Sequence, residues 1–187
     1  MKTINLLLLF LSAPILVIGQ QINVEEPSFE GEIIFASESG NSIELEYQTA
    51  SVKTKASMGA MLTGIGKVKS RVSVRGKIST TILPKQNTYY FIYNHGNNSK
   101  NPKNLAQLVK FEKKGKNRVA EISSVSVTTG AQSSGDVESI AFKGKKYQDS
   151  DMSYLLIVKN LEPGHYGWFV GEEANNNVHL FSIEEDD

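Results

Sequence analysis

Hydrophobic and polar residues alternate with a period of two along most of the chain after residue 32, and this pattern is typical of β-strands. Ile43, Leu45 and Tyr47 alternate with Glu44 and Glu46. Because successive side chains of a strand point to opposite faces, the alternation predicts a half-buried strand whose glutamates lie on its polar face.

A second alternating stretch carries basic residues on its polar face. Val72, Val74 and Ile78 share one parity, and a bulge or turn near Gly76 is expected to interrupt the strand. The opposite parity is occupied by Lys67, Lys69, Arg71, Arg75 and Lys77.

Further apolar runs predict the remaining strands. Residues 88–93 are apolar on both faces and predict a central strand. Residues 105–111 and 118–127 flank a Lys-Lys-Gly-Lys-Asn turn and predict a hairpin, although residues 105–110 also fit a short helix. The last predicted strands are residues 154–159, 166–170 and 178–183.

Short strands separated by turn residues predict an all-β chain, folded as a single antiparallel β-sandwich of the jelly-roll or Ig-like type. A length of 187 residues fits one domain. We expect this domain to span residues 20–187 and to end in an acidic tail. Residues 56–66 are apolar and rich in glycine, which fits either an irregular strand or a loop.

The N-terminus has the pattern of a secretory signal peptide. Lys2 is followed by an apolar run that ends at Gly19, and this run is shorter than the roughly 20 residues that span a bilayer. We therefore expect a signal peptide over residues 1–19 and a secreted or periplasmic mature chain without a membrane span. A lipid anchor on a lipoprotein cysteine is excluded because the chain has no cysteine.

The chain shows no motif for catalysis. The absence of cysteine also excludes disulfides, thiolate metal sites and a cysteine nucleophile. His95, His165 and His179 have no metal-ligand spacing, so we predict no catalytic residue, no metal and no cofactor and expect ordinary surface histidines. An alternative is a hydrolase site where His165 and His179 meet loop carboxylates. Trp168 is expected in the core rather than on a sugar-stacking platform.

Charge is segregated along the chain, although the formal net charge is zero. Residues 21–50 carry seven acids and no base, and residues 51–118 carry fifteen bases and one acid. Residues 119–187 carry twelve acids and four bases. A cationic block of this kind attracts polyanions, such as an acidic polysaccharide.

The polyanion hypothesis assigns binding to Lys67, Lys69, Arg71, Arg75 and Lys77, because alternate residues of a strand lie about 6.6 Å apart and can follow a repeating anion. In the competing interpretation, Glu44 and Glu46 lie on a neighbouring strand and neutralise these bases. Nucleic acid is the weakest polyanion candidate, since the aromatic residues after the basic strand are expected in the core.

Two stretches carry a shared pattern of turns and strands. One runs from Gly76-Lys-Ile-Ser-Thr-Thr through Tyr89-Tyr-Phe-Ile-Tyr, Leu108-Val-Lys-Phe and Lys116-Asn-Arg; the other joins Leu161-Glu-Pro-Gly-His-Tyr to Val178-His-Leu-Phe-Ser-Ile. They resemble exported β-sandwich proteins of Bacteroidetes-type bacteria. In that group a glutamate stands where this chain has His165, and a glycine where it has Ser182. The resemblance implies the fold and export, and it supplies no active site.

These observations predict a non-enzymatic binding module, with an anionic polysaccharide as its first candidate partner. The alternative is a module that binds a protein of the cell envelope. That hypothesis assigns the contact to the apolar residues Met58, Met61 and Leu62, because an exposed apolar patch marks an interaction site.

Overall fold

The computed structural model of the chain describes residues 22–56, 68–123, 139–171 and 176–184. These residues form fourteen β-strands and one 3₁₀ turn, so the predicted all-β, antiparallel character is confirmed. The strands are β1 (Ile33–Ala36), β2 (Ser42–Glu44), β3 (Glu46–Thr49), β4 (Ser51–Ala56), β5 (Val68–Arg75), β6 (Ile82–Leu83), β7 (Thr88–Asn94), β8 (Ala106–Lys114), β9 (Asn117–Ser123), β10 (Ser139–Ile140), β11 (Lys143–Lys146), β12 (Ser153–Lys159), β13 (Gly164–Val170) and β14 (Asn177–Ile183), and the 3₁₀ turn is Pro102–Asn104.

The first sheet has the order β11-β12-β7-β1-β2 and is antiparallel throughout. Its middle strand β7 is the predicted central strand, and it is buried on both faces. Phe91 faces the second sheet, while Ile92 packs under an N-terminal segment that includes Ile22 and Val24. This two-sided cover explains why residues 88–93 show no polar face.

The second sheet has the order β3-β14-β13-β8-β9-β5-β4, with β10 beside β8 and the short β6 parallel to β14. Its two end strands are consecutive in the chain, because only Ala50 separates β3 from β4. The side-chain amide of Gln48 completes the closure: it accepts from Arg75 N at 2.9 Å and donates to Arg75 O at 3.1 Å. The strands of this sheet therefore form a ring, which is joined between β3 and β4 by the chain and the Gln48 side chain.

Apolar side chains fill both the space between the sheets and the interior of the ring. Between the sheets, the ring centroid of Phe91 lies 5.5 Å from Trp168 and 5.2 Å from Phe181. Inside the ring, Val72 and Val74 of β5 pack in one buried cluster with Ala50, Val109, Phe111, Ala120, Val178 and Leu180. The space between the sheets and the interior of the ring are two separate cores. Strands β8, β13 and β14 contribute side chains to both of them.

Three details of the sequence prediction are wrong. The single strand expected around Leu45 is in fact two strands, because the chain passes from the first sheet to the second at Leu45. As a result, Tyr47 is exposed and the Glu46 side chain points inward. The alternative of a short helix over residues 105–110 is wrong, because residues 106–110 belong to strand β8. Ile78 is exposed because Gly76, at φ 87°, ends the alternation of β5.

Candidate functional site

Two neighbouring strands of the ring, β4 and β5, carry a basic face on the outside. Val72 and Val74 are buried inside the ring, so Arg71 and Arg75 occupy the outward parity of β5. The register places Lys53 directly opposite Arg71, and Lys55 directly opposite Lys69. We define the basic face as these five backbone positions, residues 53, 55, 69, 71 and 75. Lys77 is exposed in the turn that follows β5.

Glu121 is the acidic residue that enters this face. It lies opposite Arg71 on β9, and Arg71 Nη2 is 2.8 Å from Glu121 Oε1. Lys53, Arg75 and Lys77 form no salt bridge with another residue in the described part of the chain. The predicted neutralisation by Glu44 and Glu46 is wrong: Glu44 is in the first sheet, and Glu46 pairs with Arg118. Lys67 lies outside the described residues.

Arg118 is a base that the sequence pattern did not single out. It shares parity with the buried Ala120, so it points into the ring, where it is fully shielded from solvent. Its Nη2 lies 2.9 Å from Glu46 Oε1 and 3.0 Å from Arg75 O, and its Nε donates to Gly76 O at 3.2 Å. Its Nη1 has no hydrogen-bond partner among the described residues. This parity is the signal that could have revealed its burial.

Glu46 is the centre of the buried polar network. Its Oε2 accepts from Ser79 Oγ at 2.5 Å and from Thr80 N at 2.9 Å, and the Gln48 amide donates to its Oε1. Burial raises the pKa of the Glu46 carboxyl, but the hydrogen bonds from Ser79, Arg118, Thr80 and Gln48 outweigh it and hold the pKa below its ordinary value. Glu46 is therefore a carboxylate in the folded protein.

His165 continues this network from β13. Its Nδ1 lies 2.7 Å from Ser182 Oγ, and Ser182 Oγ also accepts from Ser79 N at 3.0 Å. Burial lowers the pKa of His165, and the charges of Lys113 and Arg118 lower it further. The imidazole is consequently neutral at pH 7 and acts as a structural hydrogen-bonding group inside the ring.

The other two histidines lie elsewhere. His179 pairs with Trp168 across β13 and β14, three positions along from the His165–Ser182 pair, so His165 and His179 occupy opposite faces of the sheet. They do not form the joint site that the hydrolase hypothesis required. His95 packs beside Tyr93, with its Nδ1 3.1 Å from the tyrosine hydroxyl. All three histidines are buried, which corrects the expectation of surface histidines.

A cleft of about 1170 Å³ opens between the N-terminal segment, strands β2 and β3, and the start of β14. Five glutamates of the acidic sequence block line it: Glu25, Glu26, Glu30, Glu32 and Glu44. The sequence revealed the charge of this block but not the cleft, because the cleft exists only where the chain crosses between the sheets at Leu45. We call this feature the acidic cleft.

The remaining sequence hypotheses have varied outcomes. Trp168 is fully buried between the sheets, as expected for a core residue. Met58, Met61 and Leu62 lie outside the described residues. Within the described ranges, no group of three or more histidine, aspartate or glutamate side chains is arranged to hold a metal ion.

No protein-family model, no curated protein and no solved structure matches this chain. In the part of the chain that the structure describes, no helix has the length and apolar character needed to cross a membrane.

Proposed function

We propose that the protein is an exported, non-enzymatic binding module that holds an anionic polymer on its basic face. The export part of this proposal rests on the signal-peptide pattern of residues 1–19. The binding part rests on the register of β4 and β5. An acidic polysaccharide is the polymer class that fits best, because a repeating anion matches charges that recur along a strand.

The observation that carries the proposal is the pairing of like charges across the strands. Lys53 lies directly opposite Arg71, and Lys55 directly opposite Lys69. Like charges at such positions destabilise a sheet, whereas opposite charges stabilise it by roughly 0.2–1 kcal/mol per pair. Two successive basic pairs therefore weaken this sheet, and stability alone does not account for them. A polyanion on this face turns the repulsion into a binding contribution.

The test is retention of the mature protein on immobilised heparin across a salt gradient. The Lys53→Glu/Arg75→Glu variant changes two exposed positions and leaves the Arg71–Glu121 pair intact. We expect the wild type to elute at high salt and this variant to elute at clearly lower salt, since surface charge interactions are screened by ions.

The matched control is Lys143→Glu/Lys145→Glu, which reverses two exposed lysines on β11 of the first sheet. It makes the same change in net charge at a different place. Equal losses of retention in the two variants would mean that heparin responds to net charge alone, and the proposal would be wrong. Weak retention of the wild type at low salt would also overturn it.

A further inference from the structure

The interior of the ring ends in a layer of polar side chains, beyond the apolar cluster that contains Val74 and Phe111. Residues directly opposite each other on antiparallel strands point to the same face of a sheet. The register places Lys113 of β8 opposite Arg118 of β9, and it places His165 of β13 opposite Phe111. Lys113, Arg118 and His165 therefore share the inward face, at the end of the ring next to the β8–β9 turn. We call these three residues the polar end of the ring.

The first observation is an unpartnered nitrogen on a buried guanidinium. Arg118 Nε and Nη2 donate to the carbonyls of Gly76 and Arg75, which lie on the side of β5. Because a guanidinium is planar, Nη1 points away from those carbonyls, and the neighbour of β9 on that other side is β8. Nη1 is shielded from solvent and has no hydrogen-bond partner among the described residues. Buried donors are normally paired, so this nitrogen is suited to an acceptor that the described residues do not supply.

The second observation is an excess of positive charge at the polar end. Glu46 is the carboxylate that pairs with Arg118, whereas Lys113 forms no salt bridge within the described part of the chain. Like charges directly opposite each other destabilise a sheet, and Lys113 and Arg118 occupy such positions. Burial lowers the pKa of His165, and the charges of Lys113 and Arg118 lower it further, so both charges act on the imidazole. A negative group between the two bases would relieve their repulsion.

The third observation is the difference in exposure between the two bases. Lys113 is exposed, whereas Arg118 is fully buried, so the step from one to the other leads from the surface into the ring. A ligand that contacts both has a small anionic head and a body that extends into solvent. A carboxylate has this form, because one oxygen can accept from Arg118 Nη1 and the other from Lys113 Nζ in charge-assisted hydrogen bonds. A single negative charge is sufficient, since Glu46 already pairs with Arg118.

We propose that the polar end of the ring binds one carboxylate group between Arg118 and Lys113. This site faces the interior of the ring, whereas the basic face lies outside, so it does not depend on the proposed polymer binding. The same chemistry has two sources. One is a free carboxylate ligand such as a sugar acid. The other is the acidic segment Glu184-Glu-Asp-Asp, which follows β14 at the end of the strand where Ser182 pairs with His165.

The test is an NMR titration of the isotope-labelled mature protein with glucuronate, with glucose as the uncharged control ligand. We expect glucuronate to shift the amide signals of residues 113 and 118 and glucose to leave them unchanged. Lys113→Gln removes an exposed ammonium group and is expected to weaken binding at least about tenfold, because a charge-assisted hydrogen bond is lost. The matched control is Lys114→Gln, which makes the same change of charge on the outward parity of β8. It is expected to bind almost as the wild type does.

The variant Glu185→Gln/Asp186→Asn/Asp187→Asn distinguishes the two sources. Unchanged affinity for glucuronate identifies a free ligand. A several-fold gain in affinity that Lys113→Gln abolishes identifies the acidic segment as a competitor for the site. The proposal is overturned if glucuronate binds neither the wild type nor this variant, if glucose binds equally well, or if Lys113→Gln and Lys114→Gln lose affinity equally. Circular dichroism of each variant separates a loss of binding from a loss of fold.

Discussion

Arg118 Nη2 and Glu46 Oε1 lie 2.9 Å apart inside the ring of strands, and the guanidinium is fully shielded from water. Removing one partner of a buried ion pair leaves an uncompensated charge and costs about 3–5 kcal/mol. Glu46→Leu is therefore expected to lower the free energy of unfolding by this amount. Urea denaturation followed by tryptophan fluorescence measures it.

The two partners of this pair are not equivalent. Arg118→Leu leaves Glu46 with its bonds from Ser79, Thr80 and Gln48, whereas Glu46→Leu leaves Arg118 with carbonyl acceptors only. We expect Arg118→Leu to be the less damaging change. The exposed pair Lys110–Glu162, at 3.8 Å, provides the control: Lys110→Ala is expected to cost less than about 1 kcal/mol. Similar losses in all three variants would contradict this account.

The second prediction concerns pH and His179. Burial lowers the pKa of this imidazole to about 4, despite the opposing bond to the Gly31 carbonyl. An unfolded histidine titrates near 6.5, so between these values the unfolded chain binds more protons and acid favours unfolding. The contribution is complete above pH 6.5 and is lost as the pH falls toward 4. By pH 5 the wild type is expected to have lost about 2 kcal/mol through this residue.

The His179→Gln variant checks that assignment. Its glutamine can still donate to the Gly31 carbonyl but does not titrate. Denaturation midpoints at pH 7.5 and pH 5 are expected to differ less in the variant than in the wild type. Part of the pH dependence of stability is expected to persist in the variant, because the pKa of His165 is also lowered by burial. An unchanged pH dependence would show that His179 is not the titrating group.

The third prediction concerns the stability effect of a substitution at Gly167. A Cβ on this residue would lie 2.7 Å from Val178 Cγ2 and 2.8 Å from Phe111 Cε2 inside the ring. Neither neighbour can move away freely, because both belong to the packed cluster. Gly167→Ala is expected to destabilise the protein by about 1–3 kcal/mol through overpacking. Thermal unfolding measures the loss, and a neutral result would mean that the ring interior is looser than described.

The fourth prediction concerns Glu121, the acid that pairs with Arg71 on the basic face. Glu121→Gln removes a negative charge from the surface that the polymer is proposed to contact. Retention on heparin is expected to move to higher salt, with little change in stability, since exposed ion pairs contribute about 0–1 kcal/mol. Glu162→Gln gives the same change of net charge outside this face, and it is expected to raise retention less.

Local patterns predicted much of the strand set. The hairpin around Gly115 and the closing pair β13–β14 were predictable, because alternation and turn residues are local signals. The basic parity of β5 was predictable for the same reason, since Val72 and Val74 mark the buried side.

The features that depend on strand pairing were not predictable. Glu46 appears on a polar parity, yet it is buried because the chain changes sheets at Leu45 and the interior of the ring holds Arg118. The acidic cleft also depends on that crossing. The three histidines appeared polar and exposed in the sequence, but their environment is set by strands distant in the chain, such as β8 beside His165.

The short link at Ala50 has a consequence for association between molecules. The link joins the two end strands of the second sheet, whereas the end strands of the first sheet, β2 and β11, are not joined to each other. Strand β2 has three residues, and β11 carries Lys143, Lys145 and Lys146. Short strands and lysines are the features that discourage strand-by-strand aggregation. We therefore expect the two edges of the first sheet to resist pairing with the sheet of a second molecule.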